Sequence, residues 1–204
     1  DLPKLPLAII DDLDTSLTPV LVANLQRRFR GCFVNAYSGR SDHMMEMLQN
    51  RDVDICVSAL LPEDTNTFRS IPILREPFIL VTAKGLLRKD QDTLEQLSNA
   101  PFIPYSDAIP IGRTITQHLR RVRFDTPRRL AFEASRSVIA MVVQDKGWTI
   151  TSPLNLLDGE RFFPQIDVLQ VPFPAFSREV YLIARTTELG DLPDRLAEDC
   201  RQLI

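Results

Sequence analysis

The chain is predicted to be an α/β protein of two Rossmann-like α/β lobes joined by two crossover strands, with a ligand cleft between them. Three observations predict it. Apolar strand-like runs alternate with helical stretches over residues 5–59, as in half of a doubly wound sheet. A second series of the same kind opens at Phe102-Ile103-Pro104-Tyr105. The chain then returns in a last strand and a closing helix, so that two passages link the lobes. The expected division is residues 1–82 for lobe I, 83–176 for lobe II and 177–204 for the return to lobe I.

Taken in order, Leu5 to Ile10 is a compact apolar strand, and Asp11-Asp12-Leu13-Asp14 is its polar exit loop. A helix follows with Leu17, Val20, Leu21, Ala23, Leu25 and Phe29 apolar, a basic end at Arg27, Arg28 and Arg30, and Gly31 as its stop. Thr18 before Pro19 is an N-cap and N1 pair, although Thr15 or Ser16 could cap instead. Phe33 to Tyr37 is a second strand, turned by Ser38-Gly39-Arg40. Ser41 then caps a helix over 42–50, whose Met44, Met45, Met47 and Leu48 make an oily face suited to core or subunit contact. Val53 to Ala59 completes the first βαβαβ.

Leu61 to Asn66 is a turn-rich loop. Phe68 to Leu74 and Phe78 to Thr82 read as two strands split by Arg75-Glu76-Pro77. Leu94 and Leu97 mark a short helix, and a helix over 112–122 shows a solvated arginine face with Arg113, Arg120 and Arg121, followed by Arg123. The stretch from Arg129 to Ser152 is the organising unit: a brief strand at Leu130 to Phe132, a turn, a buried helix from Val138, and a strand from Trp148. Ser135 is its N-cap, with Lys146 in its last turn and Gly147 as its C′ stop. Such a unit implies a right-handed parallel crossover. Pro153 to Leu157 is a helical turn, Val168 to Val171 and Val180 to Ala184 are strands, and Leu192, Leu196, Cys200 and Leu203 stripe the closing helix.

Composition excludes several function classes. The 204 residues are 44% hydrophobic with a formal charge of -3, which gives no electrostatic footprint for nucleic acid. No apolar run approaches the ~20 residues of a membrane span. The 3 cysteines, Cys32, Cys56 and Cys200, are widely spaced and form no disulfide or metal motif, which fits a cytoplasmic protein. His43 and His118 have no acidic or thiol neighbour at ligand spacing. There is no nucleophile elbow and no glycine-rich phosphate loop, so no catalytic residue, metal or cofactor is assigned.

Binding is carried instead by strand ends. Four turns could converge on the cleft: Asp14-Thr15-Ser16, Gly39-Arg40-Ser41, Tyr105-Ser106 and Glu133-Ala134-Ser135. Hydroxyls and amides at helix starts suit an anion such as a carboxylate, or serve merely as caps. Asp11, Asp12, Asp14 and Glu133 would repel a dianion unless they point away or pair with Arg40 or Arg136. They could instead hold hydroxyl or amine groups of the ligand. Thr149, in the strand after the organising helix, belongs to the candidate set.

Several local patterns run in series: Leu17-Thr18-Pro19 with Phe29-Arg30, the stretch from Met44 to Val57 (MMEMLQNRDVDICV), Leu74-Arg75-Glu76-Pro77-Phe78-Ile79-Leu80-Val81, and Met141-Val142-Val143-Gln144-Asp145-Lys146-Gly147. Together they resemble the effector-binding domain of LysR-type transcriptional regulators, which is type 2 periplasmic-binding-protein-like. Asp52 stands where the family often has glycine, and Asp145-Lys146-Gly147 replaces a common small-residue ending. The resemblance implies a ligand-sensing domain for a small polar or carboxylated metabolite. It implies a homodimer, and a homotetramer in the full-length protein, with lobe one of one subunit against lobe two of another. DNA binding would belong to a winged helix-turn-helix outside these residues, and no membrane partner is expected. Ser58 and Thr82 match the family's hinge positions, which often line the pocket. The alternative is an extracytoplasmic solute-binding protein of a transporter, with the same fold.

Overall fold

The computed structural model describes residues 2–127 and 129–203, with only the backbone of Leu203. The chain folds as two compact units. One runs to Arg75 and resumes at Arg178; the other is Glu76–Ser177. The first crossing thus falls after Arg75 rather than after residue 82. The reason is the sheet partners of the strand that follows, described below.

Unit 1 begins with β1 (Lys4–Ile10), which passes directly into α1 (Asp11–Arg28). The expected loop at Asp11 to Asp14 is therefore the first turn of the helix. Ile10 is the N-cap and offers no side-chain cap; Asp11, Asp12 and Asp14 complement the helix dipole instead. Leu13, Leu17, Leu21 and Leu25 are buried at four-residue spacing and hold α1 to the sheet. Neither Thr18 nor Ser16 caps α1, and Pro19 lies inside it. An interior proline typically costs about 3 kcal/mol. Here Thr15 and Pro19 are exposed, so solvent reaches the carbonyl that loses its donor.

β2 (Phe33–Gly39), α2 (Ser41–Gln49) and β3 (Ile55–Ser58) follow, and β2 and β3 both pair parallel with β1. Ser41 is the first helical residue rather than the cap, which is Arg40. Met44, Met45 and Leu48 are buried against Ala8, Val53 and Cys56, so these methionines serve the unit's own core rather than a subunit contact. β4 (Phe68–Pro77) is one continuous strand, without the expected break at Arg75-Glu76-Pro77. The return strand β8 (Ser177–Arg185) joins it, giving the order β2-β1-β3-β8-β4. The last helix, Leu192–Leu203, packs on α1, with Leu192, Leu196 and Cys200 buried as expected; the Leu203 side chain lies outside the described residues.

Unit 2 is built on β5 (Ile79–Ala83), which pairs antiparallel with both β6 (Trp148–Thr151) and β7 (Ile166–Gln170). All its sheet partners lie in unit 2, and this moves the first crossing ahead of it. The helices are α3 (Thr93–Asn99), α4 (Pro110–Arg121), α5 (Ser135–Gln144) and α6 (Pro153–Leu157). Parallel bridges tie Phe102 to Trp148 and Tyr105 to Phe132, so the brief run at Leu130 to Phe132 contributes a bridge rather than a full strand. Lys146, with φ 49°, takes the left-handed position after α5. Gly147 is there for a different reason: a β-carbon on it would lie 2.4 Å from the Pro101 carbonyl oxygen. The core centres on Trp148, fully buried between Phe102 and Phe124.

Candidate functional site

In unit 1 the parallel strands β1, β2 and β3 end on one sheet edge, and α1 and α2 start there. Antiparallel pairing of Ser58 with Tyr181 brings the first residues of β8 to the same edge. Arg178 meets Asp12 there at 2.7 Å, with both side chains largely buried. This pair, rather than Arg40, answers the acidic turn of α1. Arg40 instead grips its own neighbour, with Nε 3.1 Å and Nη2 2.7 Å from the two oxygens of Asp42. The guanidinium holds the Asp42 carboxyl below its ordinary range.

Hydroxyls close the same edge from behind. Ser41 Oγ accepts from the Ala59 amide at 3.3 Å, and Ser58 Oγ accepts from the Leu60 amide at 3.0 Å. Both serines are buried. Asp14 is half-buried in the first turn of α1. Thr15 and Ser16 are exposed within that helix, where Ser16 Oγ turns back to the Leu13 carbonyl. The expected turn Asp14-Thr15-Ser16 is thus helical surface.

In unit 2 the corresponding edge carries a denser polar network. Tyr105 Oη and Thr151 Oγ1 are 2.8 Å apart in a buried contact. Ser135 Oγ accepts from Asn155 Nδ2 at 2.7 Å, and Asn155 Oδ1 accepts from Ser152 Oγ at 2.7 Å. Ser135 is not the cap: Ala134 is, without a side-chain bond, and Ser135 is the first residue of α5. Arg136 pairs with Asp158, whose Oδ2 accepts from the Arg136 amide at 3.2 Å. Glu76, 4% exposed, accepts from the Leu154 amide at 3.0 Å and so meets the start of α6. Ser106 is half-buried and accepts from the Ala108 amide, and Glu133 is exposed.

Thr149 and Thr82 lie elsewhere. Thr149 is fully buried and donates to the Ile103 carbonyl at 2.6 Å, tying two chain passes together. Thr82 pairs with Trp148, at the end of β5 remote from the Ile79–Thr151 pair, and its buried hydroxyl has no hydrogen-bond partner among the described residues. The strand ends of both units are the kind of edge at which open α/β sheets take ligands.

The LysR substrate binding domain family matches residues 3–202. The chain belongs to this family. It is the effector-binding domain of a LysR-type transcription regulator, built on the type 2 periplasmic-binding-protein-like fold. Among solved structures it resembles the OxyR2 regulatory domain (C206S mutant) from Vibrio vulnificus, with TM-score 0.80 and 15% identity over 100% of this chain and 96% of that one. It also resembles the effector binding domain of QuiR in complex with shikimate, with TM-score 0.77 and 16% identity over 98% of this chain and 96% of that one. A third is the CcmR regulatory domain of Synechocystis PCC6803 in complex with 2-PG, with TM-score 0.78 and 17% identity over 98% of this chain and 96% of that one. Among curated proteins none matches. These likenesses are to regulators, and none supports the transporter alternative.

Of the residues expected for the site, Tyr105, Ser135, Arg40, Ser41 and Ser58 lie at strand ends; the same edges also carry Arg178, Thr151, Ser152, Asn155 and Asp158, which the sequence reading did not name. Arg178 falls just before the strand expected at Val180 to Ala184, and nothing local announces that it will meet Asp12. Asn155 and Asp158 had a signal, since a helical turn over 153–157 following a strand must begin at the same sheet edge. No group of three or more His, Cys, Asp or Glu among the described residues could hold a metal ion, and no described helix is long and apolar enough to cross a membrane.

Proposed function

We propose that this domain senses a small polar or carboxylated metabolite. The strand-end groups that support this reading are, in unit 1, Asp12, Arg178, Arg40, Ser41 and Ser58 and, taken separately, in unit 2, Tyr105, Ser106, Ser135, Ser152 and Asn155. The buried network Ser135–Asn155–Ser152 carries the reading most directly. It fixes three side chains at the start of a helix on the ligand-binding edge of the sheet, where rotamers locked in advance lower the entropic cost of binding. Shikimate and 2-PG on the QuiR and CcmR domains supply the size class. Binding biases the DNA binding or transcriptional output of the full-length regulator, whose DNA-binding part is separate from this domain. The setting is the cytoplasm and the role is not enzymatic. The domain self-associates through exposed apolar residues on edge strands: Phe33 is 62% exposed on β2, and Val168 is 51% exposed on β7.

A thermal screen of the 204-residue chain against shikimate, 2-PG and a panel of hydroxy and keto acids tests this. A ligand at a hundred times its dissociation constant stabilises the fold by about 2.7 kcal/mol. For a domain of this size that raises Tm by roughly 5–10 °C. Tyr105→Phe and Ser152→Ala are then expected to weaken the hit. A panel that leaves Tm unmoved at millimolar concentration counts against the reading.

A further inference from the structure

The first turn of α5 already meets an anion, and it belongs to the chain. The Arg136 amide donates to Asp158 Oδ2 at 3.2 Å, and Arg136 Nη1 lies 3.6 Å from the same oxygen. The Ser137 and Val138 amides both turn back to the Ala134 carbonyl, at 3.0 and 3.1 Å. Ser135 Oγ accepts from Asn155 Nδ2 at 2.7 Å, which turns its own O–H into a donor for something else. Asn155 and Asp158 come from the same short stretch at α6, so one element sets both a neutral donor and a carboxylate against the start of α5. Glu76 meets the start of α6 in the same manner. An incoming carboxylate seeking the α5 amides finds a like charge beside them. A hydroxyl or carbonyl oxygen takes the Ser135 donor without that repulsion.

We propose that Asp158 is a specificity-determining residue: as the resident anion at the start of α5, it favours effectors that present a neutral oxygen there over those that present a carboxylate. The proposal rests on the effector-sensing reading above and names the ligand chemistry of one part of that site. It also sets aside the sequence-based expectation that these amides receive the effector's acidic group. Asp158 is 43% exposed at its side chain, so it excludes by competition and can be displaced.

The test uses the ¹⁵N-labelled 204-residue chain, with sulfate as the probe because its charge is constant across the working pH range. Sulfate is expected to move the Ser135 and Arg136 resonances of Asp158→Asn with a midpoint at least threefold lower than in the parent. Asp158→Ser substitutes should the first variant not fold, which the spectrum itself reports. A midpoint lowered less than threefold, or no saturable shift in either protein, overturns the proposal. Failure of the effector reading looks different: the sulfate midpoint falls as expected, yet no metabolite stabilises the parent.

Discussion

The Ser135 hydroxyl accepts a 2.7 Å hydrogen bond from the Asn155 side-chain amide, and both residues are buried. A serine expected to cap its own helix instead pins that helix to the next one. Ser135→Ala removes the acceptor and leaves a buried amide donor without it, at a cost of about 1–3 kcal/mol. That exceeds the few tenths expected of Ser137→Ala. Urea denaturation of both variants, with Asn155→Ala completing a double-mutant cycle, measures it. A coupling energy near zero between positions 135 and 155 would contradict the bond's contribution.

Gly112 and Gly147 have no room for a side chain. A β-carbon on Gly112 would lie 2.0 Å from the Ser106 carbonyl oxygen, and one on Gly147 2.4 Å from that of Pro101. The obstacle is backbone, which cannot rotate away, so alanine at either position is expected to cost about 1–3 kcal/mol or more. Gly85 is the contrast. Its φ is 73° and a β-carbon there would meet no described atom within 4 Å, so Gly85→Ala meets only left-handed strain of roughly 1–2 kcal/mol. Thermal melts of the three variants give the ranking, and Gly85→Ala as the most damaging would refute it.

His118 stacks on Phe176 with ring centroids 3.7 Å apart, and Phe176 stacks on Phe78 at 4.3 Å. Burial lowers the His118 pKa, and Arg121 nearby adds to that, against a hydrogen bond to the Pro174 carbonyl. The folded state therefore resists protonation more than the unfolded chain does. The contribution is fully present above the unfolded value of about 6.5 and shrinks as pH falls below it toward the lowered folded value. Stability of the parent should drop between pH 7.5 and 5.5, and His118→Gln should flatten that slope. Parallel slopes for the two proteins would remove His118 as the cause.

The thiols are expected to be slow. Burial pushes Cys56 and Cys200 up to about 12 and raises Cys32 as well, while thiolate is the reactive form. An aromatic disulfide reagent at pH 8 should label the native chain far more slowly than the chain in urea. Rapid native labelling of Cys56 or Cys200 would contradict this.

Self-association should respond to edge-strand residues and not to the methionines. Phe33→Glu and Val168→Glu place charge on exposed strand positions and are expected to shift sedimentation toward monomer with Tm preserved. Met44 is 1% exposed, so Met44→Glu buries an unpaired charge and is expected to unfold unit 1. A parent that sediments as a monomer at tens of micromolar ends the proposal.

Periodicity alone determined much of this domain. The apolar positions from Leu17 to Phe29 placed α1, the apolar run from Val138 placed α5, and the alternation of strand and helix placed both halves of the fold. These are local signals, because which face of a helix or strand is buried depends on residues a few positions apart. Helix starts were misread at Asp11, Ser41 and Ser135. At the two serines the local preference for capping competed with more distant partners, the Ala59 amide and the Asn155 side chain, and lost. The first crossing between units was misplaced for a related reason: β5 looks the same in sequence whichever sheet it joins, and only its pairing with β6 and β7 assigns it. The candidate groups at the strand ends followed the same division. Serines at strand ends were legible, because a strand must exit into a turn. Arg178 beside Asp12 and Asp158 beside Arg136 were not, since ion pairs between segments distant in sequence exist only once the sheet order has brought their strand ends to one edge.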